Sequence, residues 1–315
     1  MKTIALIAGG TSAEREISLK SAESVRNHLD KKKYAVVDYD PATDLEKLVH
    51  DKDHIDFAMI MLHGRGGEDG TIQGLLELLH IPYNGSGVQA SANAIHKPTA
   101  KLLYTMAGLP VAQDMMIRQD DHYTVDHIIE QLGLPVVVKP VNEGSSKGMS
   151  IPKTKEDLAD ALKKAFQFDH ELLLEEYIQG TEITAPVLGN EYPEALPLIE
   201  IVPAPRYEFF DYEAKYTPGA SEEICPARLS TSMTKKCQEL GIRAHQVLGC
   251  SGYSRTDMIV RGEDVFLLET NTIPGMTTGS LFPKSAKAAG MSLTTLLDRL
   301  IELGNERCIK QYKHR

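Results

Sequence analysis

Four side chains in one short stretch have the types and spacing for chemistry: Arg255, Asp257, Glu269 and Asn271. They lie in two apolar runs, Tyr253 to Val260 and Val265 to Asn271, separated by the polar Arg261-Gly262-Glu263-Asp264. That pattern predicts a β-hairpin. Side chains on a strand alternate faces, so Arg255 shares a face with Asp257, and Glu269 with Asn271. A three-residue loop, Gly262 to Asp264, sets Asp257 opposite Glu269 and Arg255 opposite Asn271. A two-residue loop slips the register by one and throws the pairs onto opposite faces. In the first register two carboxylates and an amide oxygen converge, a donor set suited to a hard divalent cation such as magnesium. The other reading is a polar outer face laced by cross-strand ion pairs. The hydroxyl-rich loop Thr272-Ile273-Pro274-Gly275-Met276-Thr277-Thr278-Gly279-Ser280 follows at once and favours a site, because such a loop can expose backbone N–H groups.

A second chemical group surrounds Lys139, which ends the buried run Leu134-Pro135-Val136-Val137-Val138. The turn Gly144-Ser145-Ser146-Lys147-Gly148 follows. Small residues let N–H groups converge, hydroxyls add donors, and lysine adds a point charge. This reads as a flap over phosphates, or else as a charged hairpin turn. It is not a Walker A loop, since G-x-x-x-x-G-K-[ST] is absent. Lys97, in the first turn of a helix, is unfavourable for the helix dipole unless a phosphate lies nearby. Leu172 to Ile178 is an apolar run containing Glu175, Glu176 and Tyr177, whose strand backbone could read a base edge. Glu182 is either a ribose-binding carboxylate or a solvated acid. Glu14 is either a first-turn helix acid or a counter-ion for an amino group.

Strand–helix alternation over the first 92 or so residues must position these groups. Strands are expected at Ile4 to Ala8, Tyr34 to Tyr39, Phe57 to Leu62 and Ile81 to Tyr83. Helices are expected at Glu16 to Leu29 and after Gly70. This implies a parallel sheet with ligands at the carboxyl ends of its strands. The loops at Gly9-Gly10 and His63 to Gly70 both lie there, so Glu14 and His63 to Glu68 should face one crevice. Gly9-Gly10-Thr11-Ser12 lacks the G-x-G-x-x-G spacing of a dinucleotide site. Further helices are expected at His96 to Ala107, Asp157 to Phe168 and Leu293 to Leu303, with strands at Leu134 to Pro140, Met149 to Ile151 and Leu172 to Ile178.

The chain has 315 residues, enough for two or three domains. Its net charge is -10, from 44 acidic residues against 34 Lys plus Arg. That balance argues against a nucleic-acid surface and leaves room for a local phosphate site. Cys225, Cys237, Cys250 and Cys308 form no CxxC pair and read as free thiols in a reducing, cytoplasmic compartment. No run of 18 apolar residues suggests a membrane span. The opening segment reads as a buried strand, not as a leader.

With these pieces in place, the sequence resembles the D-alanine–D-alanine ligases, members of the ATP-grasp family. Six segments carry the resemblance in order: Gly9 to Ser18, His63 to Gly70, Lys139 to Ser146, Asp211 to Tyr216, Arg255 to Asp257 and Glu269 to Thr277. It implies a three-domain α/β ATP-grasp architecture: a parallel-sheet domain over 1–94, a central subdomain with the flap over 95–180, and a C-terminal subdomain with the metal site over 181–315. It implies ATP and two magnesium ions, with manganese an alternative, and a homodimer acting on small molecules in peptidoglycan precursor synthesis. By resemblance, Lys97, Lys139, Ser145 and Ser146 hold phosphates. Glu175, Tyr177 and Ile178 line adenine, and Glu182 binds ribose. Asp257, Glu269 and Asn271 hold the metals. Glu14 takes the first D-alanine's ammonium, with His63 beside it. Arg255 and the Gly275 N–H face the oxyanion. Lys215, Ser280 and the Leu281 backbone hold the second carboxylate. Tyr216, linked to Glu14 and Ser145, closes a loop over the cleft and goes with dipeptide synthesis. Its replacement goes with ester-forming relatives, and a non-catalytic nucleotide-binding protein is a further alternative. Several positions depart from the family pattern. Glu176 stands where lysine is usual, which removes a donor near the adenine. Thr181 and Ala185-Pro186 depart from the usual residues around Glu182, and the proline is expected to bend its strand. Ile95-His96 precedes Lys97 where Met-Asp is common, and Pro218-Gly219-Ala220 follows the Tyr216 segment.

Overall fold

The first apolar runs of the chain form a small parallel sheet. In a computed structural model, which describes residues 1–141, 148–204 and 219–312, the chain opens with β1 (Lys2–Ile7), α1 (Arg15–His28), β2 (Tyr34–Tyr39), α2 (Leu45–His50) and β3 (Phe57–Ile60). Helices α3 (Thr71–Leu78), α4 (Val88–Ile95) and α5 (Lys97–Met106) follow. The strand order is β2-β1-β3, all parallel, as the alternation predicts. Ile4, Ala5, Leu6 and Ile7 are buried on both faces, which is why this strand reads as a continuous apolar run. The expected strand at Ile81 to Tyr83 is only one parallel bridge, Ala58 to Tyr83. Helices α2 and α4 were not expected. The first has only six residues, and the second buries small side chains, Ala90, Ser91 and Ala94, that give little periodic signal.

The middle of the chain builds its own layer: β4 (Asp114–Arg118), α6 (Val125–Leu132), β5 (Val136–Pro140), α7 (Lys155–Ala165) and β6 (Glu171–Glu176). The sheet order is β4-β6-β5, antiparallel throughout. Its core includes Ile128, Val136, Leu158, Leu172 and Leu174. The expected strand at Met149 to Ile151 is a single bridge, Val138 to Ser150.

The remainder contributes β7 (Thr181–Leu188), β8 (Glu194–Ala195), β9 (Ile199–Pro203), β10 (Ser221–Ile224), α8 (Thr231–Val247), β11 (Tyr253–Arg261) and β12 (Asp264–Asn271). Two last helices follow, α9 (Leu281–Ala288) and α10 (Leu293–Tyr312), the second longer than its apolar stripe predicts. The sheet order is β10-β9-β7-β11-β12, with β8 beside β7. Pro186 does not break β7. The ladder to β11 runs through it without a shift, and on its other edge it falls between the β9 and β8 pairings, where no ladder donor is needed.

The last helix does not stay with this sheet. Leu296, Leu297, Leu300 and Ile301 share one core with Ile4, Leu6, Phe57 and Met59. Tyr253 adds a polar tie, because Asn84 donates to its hydroxyl at 3.1 Å while also bonding the backbone of Ile60. The chain leaving α5 is pinned too, with the Leu267 N–H donating to the Pro110 carbonyl at 2.9 Å. These ties bring the three sheets around one cleft. Among the described residues no helix is long and apolar enough to cross a membrane.

Candidate active site

The hairpin carries the expected pairs by a different route. Asp257 lies opposite Glu269 and Arg255 opposite Asn271, yet the turn holds two residues, Gly262 and Glu263, not three. The register shifts between Asp257 and Met258, where Leu268 is left unpaired as a bulge. One extra residue cancels the slip that the short turn would cause. Gly262, at φ +60°, suits the tight turn. On the opposite face Thr256 and Thr270 share a hydrogen bond of 2.8 Å, and Tyr104 reaches Thr270 at 2.7 Å.

Arg255 clasps Asp257 at two points, Nε to Oδ1 and a terminal nitrogen to Oδ2, both 2.9 Å. The Thr184 hydroxyl donates to the same carboxylate at 2.6 Å. Asp257 is thus buried and ionically paired while it faces Glu269. Like charges across a ladder repel, and Arg255 offsets part of that cost. Among the described residues no three His, Cys, Asp or Glu side chains form a metal cluster. The set here has only two carboxylates, completed by the Asn271 amide, whose oxygen also accepts from the Ile273 N–H at 2.8 Å. Two carboxylates and an amide oxygen on one wall fit a hard divalent cation that keeps positions for water or phosphate.

The opposite wall comes from the parallel sheet. Gly9 and Gly10, both at positive φ, turn the chain so that Asp40 accepts the Gly10 N–H at 2.8 Å and pairs with Arg15 at 2.6 Å. Glu14 follows at the start of α1. Its carboxylate comes so near Gly64 that a Cβ there would fall 2.7 Å from Oε2. His63 is buried between Ser21, at 3.4 Å from Nε2, and Glu68, at 3.8 Å from Nδ1. Glu68 takes the Gly64 N–H at 2.9 Å on its other oxygen. The expectation that Glu14 and His63 to Glu68 share a crevice therefore holds. Ser21 also accepts the Met276 N–H at 3.5 Å, which joins this wall to the loop after the hairpin.

That loop ends at α9. The Ser280 hydroxyl is turned toward Thr277, 2.8 Å from its hydroxyl and 3.2 Å from its N–H, and does not cap its own helix. The first N–H groups of α9, at Leu281, open beside it, a setting that favours an anion. Gly275 is pressed against Ser280, its would-be Cβ lying 3.0 Å from that hydroxyl.

A buried basic cluster forms the third side. Glu175 receives Lys139 on Oε2 at 2.5 Å and Lys101 on Oε1 at 2.6 Å. Burial alone would push Glu175 up and Lys139 down. The attraction between them wins, so Glu175 is held at about 2 and Lys139 is raised. Lys97 donates to the Val141 carbonyl at 3.3 Å. Glu176 lies on the same wall and accepts from the Gln113 N–H at 3.4 Å.

One cavity of about 750 Å³ takes in all three sides. Glu14, His63, Lys97, Lys139, Glu175, Tyr177, Ile178, Glu182, Arg255, Asp257, Glu269, Asn271, Gly275, Ser280 and Leu281 all line it. Val137, Ile151, Ile259 and Leu268 give it an apolar patch. Ser145, Ser146, Lys215 and Tyr216 lie outside the described residues. Sequence reasoning gave no role to Glu68, Ser21, Thr184 or Lys101. Glu68 stood inside a motif that was already singled out, whereas the other three carry no local signal. The cysteines take no part in the site. Burial pushes Cys237 up to about 11 and Cys250 up to about 12, so neither is a thiolate at neutral pH.

Known proteins resemble this chain over nearly its whole length. The model of the D-ala D-ala ligase C-terminus matches residues 103–302, and that of the N-terminus matches 38–86. The D-alanine–D-alanine ligase of Syntrophobacter fumaroxidans is 60% identical over 304 residues, 96% of this chain and 98% of that protein. The enzyme of Desulfotalea psychrophila is 54% identical over 96% of this chain and 95% of its own. The solved structure of D-alanine–D-alanine ligase from Bacillus anthracis complexed with ATP superposes with a TM-score of 0.87 at 33% identity, covering 99% of this chain and all of that one. The full-length likeness and the two matching family models place this chain in the D-alanine–D-alanine ligase family.

Proposed function

We propose that this chain joins two D-alanines into D-alanyl-D-alanine at the expense of ATP, in the cytoplasm and as a homodimer, to supply a peptidoglycan precursor. The observation that carries the reading is the cavity that joins the three walls. It gathers an acidic wall for an ammonium, a lysine cluster for phosphates, a carboxylate pair for metal, and a helix N-terminus for a carboxylate.

In this reading the triphosphate lies along Lys97 and Lys139, with the adenine on the apolar patch near Tyr177 and Ile178 and the ribose at Glu182. Asp257, Glu269 and Asn271 would hold magnesium, or manganese in its place, which supplies positive charge against the phosphates. Glu14 takes the ammonium of the first D-alanine, and His63, oriented by Glu68, lies beside it. One carboxylate oxygen of that D-alanine attacks the γ-phosphorus, and the bond to ADP breaks. The acyl phosphate is then attacked at its carbonyl carbon by the neutral amine of the second D-alanine, whose nitrogen gives up one proton to the departing phosphate. Ser280 and the Leu281 N–H, together with Lys215, hold that substrate's carboxylate. Arg255 and the Gly275 N–H stabilise the tetrahedral oxyanion, inorganic phosphate leaves, and the peptide bond remains. By the family resemblance, Ser145 and Ser146 would add donors to the phosphates, and Tyr216 would close a loop that keeps water from the acyl phosphate.

The test is phosphate release from MgATP with no amino acid, with L-alanine, with D-alanine, and with D-alanine plus D-lactate, the products being identified by mass. Release that requires D-alanine and yields the dipeptide supports the reading. A mixed ester as the main product, or no D-alanine-dependent release from folded protein, overturns it.

A further inference from the structure

Lys101 is a buried charged group that the mechanism does not use. Lys101, on α5, is 2% exposed and lies behind the cavity wall rather than on it. Its position answers a problem in the central sheet, where Glu175 on β6 is paired directly with Asp114 on β4. Two carboxylates across a ladder destabilise it. Lys101 Nζ lies 2.6 Å from Glu175 Oε1, 3.2 Å from Asp114 Oδ1 and 2.9 Å from the Ala112 carbonyl oxygen. Three acceptors match the three donors of the ammonium.

The consequence reaches the cavity through Glu175. A carboxylate offers about four acceptor positions, and the two lysines occupy two of them. The rest accept hydrogen bonds but cannot donate. Without Lys101, Glu175 would have Lys139 as its one close cation among the described residues, and Lys139 would have less charge to offer a ligand. We propose that Lys101 is a positioning residue for the nucleotide. It fixes Glu175 as an acceptor for a base with an exocyclic amino group, and it spares Lys139 for the nucleotide. A base with an exocyclic oxygen at that place meets lone pair against lone pair. This inference rests on the ATP reading above.

The experiment compares ATP with ITP, whose base has oxygen where adenine has the amine. Kinetic constants and direct MgATP binding are measured for wild type and Lys101→Met. The variant should raise the KM for ATP at least about tenfold, leave kcat at saturation within about threefold, and lower the preference for ATP over ITP at least about tenfold, as loss of one charge-assisted hydrogen bond implies. Lys101→Met leaves a buried carboxylate less well paired, so the double variant Lys101→Met/Glu175→Gln, which removes both charges, is set against Glu175→Gln alone. If Lys101 acts through Glu175, the two Gln variants bind ATP equally. The proposal is overturned by folded Lys101→Met with wild-type KM and base preference, or by a further loss in the double variant. Wild-type protein that binds neither nucleotide would overturn the functional reading itself, and this inference with it.

Discussion

Asp257 faces Glu269 across the β11–β12 ladder even though the turn between them holds only two residues, because Leu268 is left unpaired. Removing the Asp257 charge tests what that pairing is for. Asp257→Asn keeps the shape and an oxygen for the Thr184 hydroxyl. It should raise the half-saturating magnesium concentration on the order of tenfold, since affinity for a hard cation follows ligand charge. Magnesium titration of turnover checks this, and an unchanged midpoint counts against the metal role.

Arg255 holds Asp257 at two points and also lines the cleft. Arg255→Ala should cut kcat by about 100-fold or more, the scale of a lost oxyanion donor, while MgATP affinity stays within about threefold. Calorimetric binding beside steady-state rates separates the two effects. Equal losses in both would place Arg255 in nucleotide binding instead.

His245 gives the protein an acid-sensitive core. Burial lowers its pKa to about 4, and its Nδ1 lies 2.8 Å from the Ser254 hydroxyl. Between about 4 and the ordinary 6.5 the unfolded chain binds a proton that the folded one refuses. Stability therefore falls as pH drops through that window, by up to about 3 kcal/mol. His245→Gln lacks this titration. Its Tm deficit relative to wild type should shrink between pH 7 and pH 4.5, and parallel Tm curves would refute the assignment.

Gly304 fixes the approach of α10 to the parallel sheet. A Cβ there would meet the Phe57 ring at 2.7 Å and press still closer on the Tyr83 carbonyl. In an exposed helix Gly→Ala stabilises by about 1 kcal/mol, whereas overpacking costs about 1–3 kcal/mol. With backbone as the neighbour, the cost should win. Gly304→Ala should lower Tm by a few degrees, and a rise would mean that α10 is packed less closely than described.

Much of this arrangement is legible in the residues. Apolar runs at β1 and β3 announce buried parallel strands, and the two i, i+2 polar pairs announce one face of a hairpin. The bulge is not legible: Val265-Phe266-Leu267-Leu268 is an unbroken apolar run, so nothing in it marks Leu268 as an extra residue, and turn length alone cannot give the register. Lys101 was not legible. It lies one helical turn from Lys97 and looks like another surface lysine, and its partners inside the fold, Glu175 and Asp114, are distant in sequence, Glu175 by 74 positions. Ser21 and Thr184 likewise gain their roles from partners distant in sequence, His63 and Asp257.

The central claim is that a carboxylate is activated by phosphoryl transfer and then captured by an amine. D-alanine labelled with ¹⁸O in its carboxylate tests it most directly, with the released phosphate and the dipeptide both analysed by mass. The mechanism predicts one labelled oxygen passed to phosphate for each dipeptide formed. Unlabelled phosphate formed alongside labelled dipeptide would contradict it, because the carboxylate oxygen would then never have bonded to phosphorus.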